Sequence, residues 1–203
     1  MTDKDIMDSV YNTWKIESDA IASLANAISP EIIIDTVKLI AGCKGRIITS
    51  GCGTSGAAAI KIAHSLCCIE RPAAFLPPAD AVHGKLGLLQ PDDILILISK
   101  GGNTPELLNL IPACKTKGAK LIAVTENTQS ALAQNADIVI TAAAKKEPCP
   151  FNMLATASTM TVIAAFDAIC IALMQYTGYT REQFAVIHPG GAVGERLLSG
   201  GSK

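Results

Sequence analysis

The chain changes its hydrophobic pattern near residue 43. Before that point, apolar residues recur at helical spacing in two segments, and the second opens with Ser29 and Pro30 at cap and first-turn positions. After it, helix-like segments alternate with five short β-rich runs: RIITS (46–50), AAFLP (73–77), DILILIS (93–99), KLIAVT (120–125) and ADIVIT (136–141). Because these runs are continuously apolar rather than alternating, we expect strands that are covered on both faces, as in a parallel sheet.

Right-handed crossovers between such strands predict an α/β fold, a three-layer α/β/α sandwich around a five-stranded parallel sheet of flavodoxin-like order 2-1-3-4-5. No low-complexity stretch or linker divides the 203 residues. We therefore predict a single domain over 1–203 with an N-terminal helical extension at about 1–43. A long helix is expected at 153–177, where the sequence is apolar almost all round, as in a central helix or a subunit interface. A short helix and a frayed tail are expected after residue 188.

The composition narrows the range of partners. Apolar residues make up 49% of the chain, charged residues 17%, and the net charge is −1. Low charge combined with apolar faces favours a homodimer or homotetramer over a monomer. This net charge does not indicate a basic surface of the kind that binds nucleic acid or an anionic membrane. Apolar stretches such as VIAAFDAICIALM are too short to span a bilayer, and the acidic N-terminus is not typical of a signal peptide.

The cysteines indicate a reducing compartment. Seven cysteines are scattered along the chain without a paired CxxC framework. An odd number of this kind is typical of reduced thiols in the cytoplasm. With three histidines and no Cys/His spacing of the zinc kind, no metal site is expected.

Two loops rich in glycine and hydroxyl residues follow the first and third predicted strands. They read SGCGTSG (50–56) and SKGGNT (99–104). In a sheet of order 2-1-3-4-5 the switch point lies between strands 1 and 3, so both loops meet outside the carboxyl ends of those strands. Glycines, hydroxyls and a helix start together favour an anion, most often phosphate. The alternative is a tight strand-to-helix turn with Thr104 as N-cap. A dinucleotide site is disfavoured, because no acidic residue follows the second strand where a ribose needs one.

Six motifs come in the order and spacing of a known family. They are SGCGTSG, AVHGKLG, SKGGNT, KKEPCP, ATASTMT and IHPGGAVGERLL. Over about residues 30–198 the chain resembles the sugar isomerase (SIS) domain family, and it is most similar to the arabinose-5-phosphate isomerases. The resemblance implies the sandwich described above and a phosphosugar as ligand. The tandem pair of CBS modules that usually follows GERLL in those isomerases is absent from this sequence.

By this resemblance, the two loops hold the sugar phosphate through Ser50, Gly51, Gly53, Thr54, Ser55, Ser99, Lys100, Gly101, Gly102, Asn103 and Thr104. The isomerases usually have Lys where Thr54 stands, so the first loop looks more like the hexosamine-phosphate synthase version of the domain. They also have Ser where Gly101 stands, Glu where Asn103 stands and Asp where Lys85 stands. These departures change the charge around the sugar and leave its identity open. Lys100 and Lys85 are candidates for the missing positive charge, the alternative being that both point into solvent.

Aldose–ketose interconversion needs a base that moves a proton through an enediol and an acid/base that opens the sugar ring; it requires no cofactor. By resemblance Glu147 is the proton-transfer base, although alone it would be read as a surface carboxylate. His188 is catalytic by the same resemblance and reaches the neighbouring subunit's site in SIS dimers; the alternative is a capping or packing role. His83, which follows strand 2, is a second acid/base candidate. Ser158 and Thr159 are expected to N-cap the long helix, the alternative being contacts with substrate hydroxyls.

Three functions remain open from the sequence. The main hypothesis is a cytoplasmic phosphosugar aldose–ketose isomerase of the arabinose-5-phosphate isomerase type. The alternatives are a non-catalytic SIS protein that senses a phosphosugar, or a hexulose-6-phosphate isomerase. The presence of Glu147, His83 and His188 favours the enzyme. Thr54 and Asn103, which depart from the pattern of the isomerases, leave the sensor as an alternative. Known sensors usually carry a helix-turn-helix DNA-binding module, and the N-terminal segment here has no basic module of that kind.

Overall fold

The protein is described by a computed structural model that covers residues 1–191 and 194. It contains one five-stranded sheet in the order β2-β1-β3-β4-β5, and all four neighbouring pairs are parallel. The strands are Ile47–Gly51 (β1), Ala73–Phe75 (β2), Ile94–Ile98 (β3), Lys120–Val124 (β4) and Ile138–Ile140 (β5). The predicted fold class and strand order are therefore confirmed.

Helices cover both faces of the sheet, and the first two of them precede it along the chain. They are Asp3–Ala27 (α1), Pro30–Gly42 (α2), Gly53–Cys67 (α3), Pro78–Ala81 (α4), Pro105–Leu108 (α5), Ile111–Lys117 (α6), Ala131–Asn135 (α7), Ala157–Thr177 (α8) and Arg181–Ile187 (α9). A 3₁₀ turn at Lys85–Leu88 follows α4. The predicted start of the second helix is confirmed, because the Ile32 amide donates to Ser29 Oγ at 3.4 Å and Pro30 occupies the first turn. The extent of the domain stays a prediction.

Two large apolar clusters, one on each face of the sheet, form most of the core, and a small third cluster joins α1 to the beginning of α8. Along β3, Ile94, Ile96 and Ile98 enter the cluster that contains side chains of α2, α3 and α8. The alternate residues, Leu95 and Leu97, enter the cluster formed with α5, α6 and α7. Successive side chains of a strand point to opposite faces, so a continuous apolar run is buried on both sides. This is why the strand runs lack the alternation of a half-exposed sheet.

Helix α8 lies at the centre of the first cluster. Phe166 and Ile169 are fully buried, and the helix packs against α1, α2 and α3. It begins at Ala157 rather than at residue 153, and Gly178 ends it in the left-handed conformation at φ 64°. By length and composition alone α8 is long enough to cross a bilayer, unlike the shorter apolar run considered from the sequence. Half of its most apolar 18-residue window is buried within the fold, as in the core helix of a globular domain.

The segment after the second Gly-rich loop differs from its prediction. Its apolar spacing predicts one helix, but the structure has two short ones, α5 and α6. Pro112 lies in the first turn of α6. Proline has no amide hydrogen to donate, so it is tolerated at the beginning of a new helix but not in the interior of a continuous one.

Candidate functional site

The two Gly-rich loops lie side by side at the carboxyl edge of the sheet. The register of β1 and β3 pairs Ser50 with Leu97 and Gly51 with Ile98, so both loops leave adjacent strands at the same level. The predicted meeting of the loops is confirmed. A cleft with about 450 Å³ of empty space, part of it open to solvent, lies beside them. Its polar lining includes Thr54, Ser55, Lys100, Glu126, Ser158 and Thr159.

The first loop presents the beginning of α3 to this cleft. Its N-cap residue, Cys52, makes no side-chain capping hydrogen bond, and the first amides of a helix have no partner within the helix. Thr54 and Ser55, in the first turn, line the cleft. Gly51 allows this approach, because a Cβ there would lie 2.7 Å from the Ser55 carbonyl. The start of α3 therefore offers unpaired N–H groups, two hydroxyls and the positive end of a helix dipole.

Ser50 does not contribute to this surface. It is fully buried, and its hydroxyl donates to the Leu76 carbonyl at 2.6 Å. The hydroxyl thus ties the end of β1 to the segment that follows β2. The predicted contact between Ser50 and a phosphate stays a prediction without geometric support in the structure.

The second loop is held together by its own hydroxyls. Ser99 Oγ lies 2.7 Å from Thr104 Oγ1 and accepts the Gly102 amide at 3.0 Å. Thr104 occupies the N-cap position of α5, but its side chain makes no capping hydrogen bond. Gly102 has a φ of 69°, and a Cβ at this position would collide with Ser130. Glycine is therefore required at 102, and the Ser99 and Thr104 hydroxyls stabilise the loop.

The other residues of the second loop face in different directions. Asn103 is exposed, and its Oδ1 accepts the Ala131 amide at 3.0 Å, which ties the loop to α7. A Cβ on Gly101 would meet no atom within 4 Å. Of the loop residues 99–104, Lys100 is the one that lines the cleft. Its cation is consequently the main charge that this loop supplies.

Glu147 is buried beside the cleft, in contact with the lining residues Lys100 and Ser158, and is not a surface carboxylate. It is 3% exposed. Oε1 accepts Lys100 Nζ at 2.9 Å and also the Ser158 hydroxyl. Oε2 accepts the Thr156 amide at 3.0 Å and the Ser158 amide at 3.4 Å. The carboxylate therefore occupies the beginning of α8 and forms an ion pair with the cation of the second loop.

The pKa of Glu147 reflects two opposed effects. Burial raises it, but the hydrogen bonds from Ser158, Thr156 and Lys100 outweigh burial and lower the pKa from 4.5 to about 2. The group is thus ionised at neutral pH. A carboxylate so well stabilised is a weak base for as long as these partners remain in place.

The expectation that Ser158 and Thr159 cap α8 is wrong. The N-cap residue is Thr156, and it makes no side-chain capping hydrogen bond. Ser158 donates its hydroxyl to Glu147, and Thr159 Oγ1 donates to the Ala155 carbonyl at 3.3 Å. The Glu147 carboxylate accepts the first-turn amides instead. Glu147, which lies 9 positions before Thr156, therefore takes the role that an N-cap side chain usually has.

Sequence reasoning missed Glu126. It follows β4 directly and lines the cleft. Its Oε1 accepts the Ala144 amide at 3.1 Å and lies 3.8 Å from Lys100 Nζ. Lys100 is therefore positioned between two carboxylates, those of Glu126 and Glu147. The available signal was that Glu126 comes at the carboxyl end of the strand beside the switch point.

The two predicted catalytic histidines lie outside the cleft lining of this chain. His83 is exposed after α4, beside a surface ion pair in which Lys85 Nζ donates to Asp80 Oδ2 at 2.6 Å. Lys85 is therefore engaged away from the cleft. His188 ends α9; its Nδ1 lies 2.9 Å from the Phe184 carbonyl oxygen, and its ring stacks on Phe184 at 3.9 Å between centroids. The catalytic roles of both histidines stay predictions.

The described residues contain no metal-binding group. Among residues 1–191 and 194, no set of three or more His, Cys, Asp or Glu side chains is arranged to hold a metal ion. All seven cysteines are unpaired thiols.

Comparison with known sequences identifies relatives across nearly the whole chain. The SIS domain family pattern matches residues 39–182. The arabinose 5-phosphate isomerase KdsD of Pseudomonas aeruginosa is 39% identical over 96% of this chain, and KpsF of Escherichia coli CFT073 is 40% identical over the same share. The chain spans 59% of the length of these two relatives.

Comparison with solved structures gives the same picture. A Listeria monocytogenes protein, proposed to be a sugar-phosphate isomerase, is 61% identical with a TM-score of 0.92, over 94% of this chain and all of that one. An Escherichia coli CFT073 protein in complex with arabinose 5-phosphate is 30% identical with a TM-score of 0.88, over 93% of this chain and all of that one. The RpiR transcription factor of Sphaerobacter thermophilus, at 19% identity and a TM-score of 0.71, shares the fold alone.

Proposed function

The chain belongs to the SIS domain family, and we propose that it interconverts the aldose and ketose forms of a phosphorylated sugar. The observation that carries this proposal is the ion pair between a buried anionic carboxylate, Glu147, and Lys100, a cation that lines the cleft onto which the open start of α3 also faces. A carboxylate base and an anion-binding helix start are two of the parts that such an isomerase uses.

The phosphate of the substrate binds at the start of α3. There the Thr54 and Ser55 hydroxyls and the first amides of the helix are available, and Lys100 supplies a positive charge. The sugar carbons then extend towards Lys100 and Ser158, the two cleft-lining residues that contact Glu147. Hydrogen bonds from charged or helix-terminal donors to phosphate are among the stronger ones in proteins.

Glu147 becomes a better base when its lysine partner is shared with the substrate. In the structure Lys100 helps to hold the pKa of Glu147 at about 2. A phosphate dianion in the cleft competes for the same ammonium group, and the loss of that partner raises the pKa of the carboxylate. The carboxylate then takes the proton from the carbon next to the carbonyl, which gives an enediol intermediate, and returns it to the former carbonyl carbon, while the hydroxyl proton passes from the neighbouring oxygen to the former carbonyl oxygen.

The substrate we propose first is arabinose 5-phosphate. Curated relatives at 39–40% identity are arabinose 5-phosphate isomerases, and one solved relative is a complex with this sugar phosphate. Thr54, Gly101 and Asn103 stand where those isomerases usually have Lys, Ser and Glu, so a panel of pentose and hexose phosphates is the appropriate assay. A hexulose phosphate is the second choice, and the unpaired thiols agree with a cytoplasmic setting.

A homodimer or homotetramer would bring His188 to the cleft of a neighbouring subunit. In support, the loop that joins Glu147 to α8 exposes Phe151, Met153 and Leu154, with 78%, 82% and 63% of each surface accessible. Exposed apolar groups of this size, next to a site, are typical of an interface. Light scattering that reports a monomer at micromolar concentration would contradict this part of the proposal.

The alternative is a sensor that binds a phosphosugar without converting it. One observation favours it: a carboxylate with a pKa of about 2 is a poor base. Two assays separate the alternatives. NMR of the sugar-phosphate panel follows isomer formation, and deuterium incorporation from solvent at the carbon next to the carbonyl detects proton abstraction even without net conversion. Binding with neither isomerisation nor exchange would establish the sensor.

A further inference from the structure

The cleft contains a second carboxylate that the isomerase mechanism described above does not use. Glu126 lines the cleft, and its side chain is 22% exposed. Its Oε1 lies 3.8 Å from the same Lys100 Nζ that contacts Glu147 at 2.9 Å. The two carboxylates are therefore separated by a single ammonium group, and of the two Glu126 is the one that lines the cleft.

The position of Glu126 is fixed from two sides. Its amide donates to the Lys100 carbonyl at 3.0 Å, so the loop after β4 is attached to the loop after β3. Its Oε1 accepts the Ala144 amide at 3.1 Å, which attaches it to the segment after β5. Within the described part of the chain, no hydrogen bond engages Oε2. A carboxylate has about four acceptor sites, so much of its capacity is open to the cleft.

An acceptor in this position suits hydroxyls and not phosphate. A carboxylate repels a phosphate group, whereas the O–H groups of a sugar donate to it readily. The anion-binding features lie at the start of α3, at Thr54 and Ser55. We propose that Glu126 binds hydroxyl groups of the substrate sugar and, together with Lys100, determines which sugar the cleft accepts. This inference rests on the proposed function for the identity of the ligand.

The test compares two probes that differ only in the sugar part. One is the reduced, non-isomerisable form of arabinose 5-phosphate, arabinitol 5-phosphate, and the other is inorganic phosphate. Calorimetric titration of the wild type, Glu126→Gln and Glu126→Ala should show weaker binding of the sugar-alcohol phosphate by about 10–100-fold in both variants. Binding of inorganic phosphate should not weaken, because a negative charge has been removed from the cleft.

Two controls separate this role from a structural one. Glu126→Gln keeps an oxygen for the Ala144 amide, so its thermal unfolding should match the wild type while its sugar binding is impaired. Asp35→Asn removes an exposed acid from α2, outside the cleft, and should change neither probe. The inference is overturned if the Glu126 variants weaken both probes equally, or weaken neither.

The wild type decides the remaining cases. If it binds neither probe, the cleft is not a sugar-phosphate site and the inference is overturned with the proposed function. If it binds arabinitol 5-phosphate but neither isomerises nor exchanges any sugar in the panel, the isomerase proposal fails alone. In that case the difference between the two probes still decides the role of Glu126.

Discussion

Two helices begin at the same cleft and treat their first amides differently. At α8, the Thr156 and Ser158 amides donate to the carboxylate of Glu147. At α3, the N-cap residue Cys52 makes no side-chain capping bond, and the first turn faces the cleft. One helix start is filled by the protein's own anion, and the other remains available for an anion from outside.

The difference shows how one physical feature serves two purposes. The beginning of any helix combines unpaired N–H groups with a partial positive charge. When a buried carboxylate accepts hydrogen bonds from these N–H groups, as Glu147 does, the carboxylate is held in place and its pKa is low. When small residues and hydroxyls surround it, its N–H groups stay available, and at α3 we propose that they bind phosphate. The following predictions test this assignment.

The largest effect is expected at the filled helix start. Glu147→Ala should lower turnover by about 10²–10⁴-fold, as is typical when a general base is lost. It should also lower the free energy of unfolding by about 3 kcal/mol, because buried amides of α8 and a lysine lose a charged partner. Steady-state kinetics and urea denaturation measure the two effects. Glu106→Ala, in the exposed first turn of α5, is the control, and equal stability of the two variants would contradict the assignment.

The pH dependence of stability provides the second test. The pKa of Glu147 is lowered from 4.5 to about 2 in the fold, so the unfolded chain binds this proton more readily than the native protein does. The stabilisation is complete above pH 4.5, amounts to about 3 kcal/mol, and is lost as the pH falls from 4.5 towards 2. Denaturation of the wild type and Glu147→Gln at pH 6, 4 and 3 should show a difference in the free energy of unfolding between the two proteins that becomes smaller as the pH falls. A constant difference would argue against an ionised Glu147.

Removal of the shared cation is expected to have an intermediate effect. Lys100→Met should weaken sugar-phosphate binding by about tenfold or more, because a charge-assisted hydrogen bond is lost. It should also raise the pKa of Glu147, so that the stabilisation lost between pH 4.5 and the folded pKa is smaller and its loss is complete at a higher pH. Titration calorimetry and acid unfolding measure these two quantities. Lys146→Met removes an exposed lysine next to Glu147 and should alter neither; similar behaviour of both variants would mean that Lys100 acts through general charge alone.

The smallest effects are expected at two hydroxyls of the first loop. Thr54→Val should weaken phosphosugar binding by about tenfold and leave stability nearly unchanged, because its hydroxyl faces the cleft. Ser50→Ala should do the reverse, since the buried Ser50 hydroxyl donates to Leu76, and should cost about 1 kcal/mol of stability. Binding and denaturation curves for the pair would show the contrast. If Ser50→Ala weakened binding more than Thr54→Val did, the assignment of the open helix start would be wrong.

The sequence by itself determined the strands, their order and the meeting of the two loops. Continuous apolar runs separated by helical segments permit few arrangements other than a parallel sheet. The order of the motifs was specific enough to indicate the SIS domain family, and Lys100 and Glu147 were chosen as candidates because they lie in two of those motifs. Local signals also placed the start of the second helix, where Ser29 and Pro30 coincide.

Only the tertiary structure decided which polar groups are free to act. Ser50 lies 26 positions from the carbonyl that engages it, and Glu147 lies 47 positions from Lys100. Glu126 became a candidate only because folding brings it within 3.8 Å of the same lysine. Whether a hydroxyl or carboxylate is available depends on the partners that folding brings to it, and buried polar groups take such partners wherever they can. Local spacing carries no record of those distant partners, so the sequence could locate the cleft without showing which of its residues remain open.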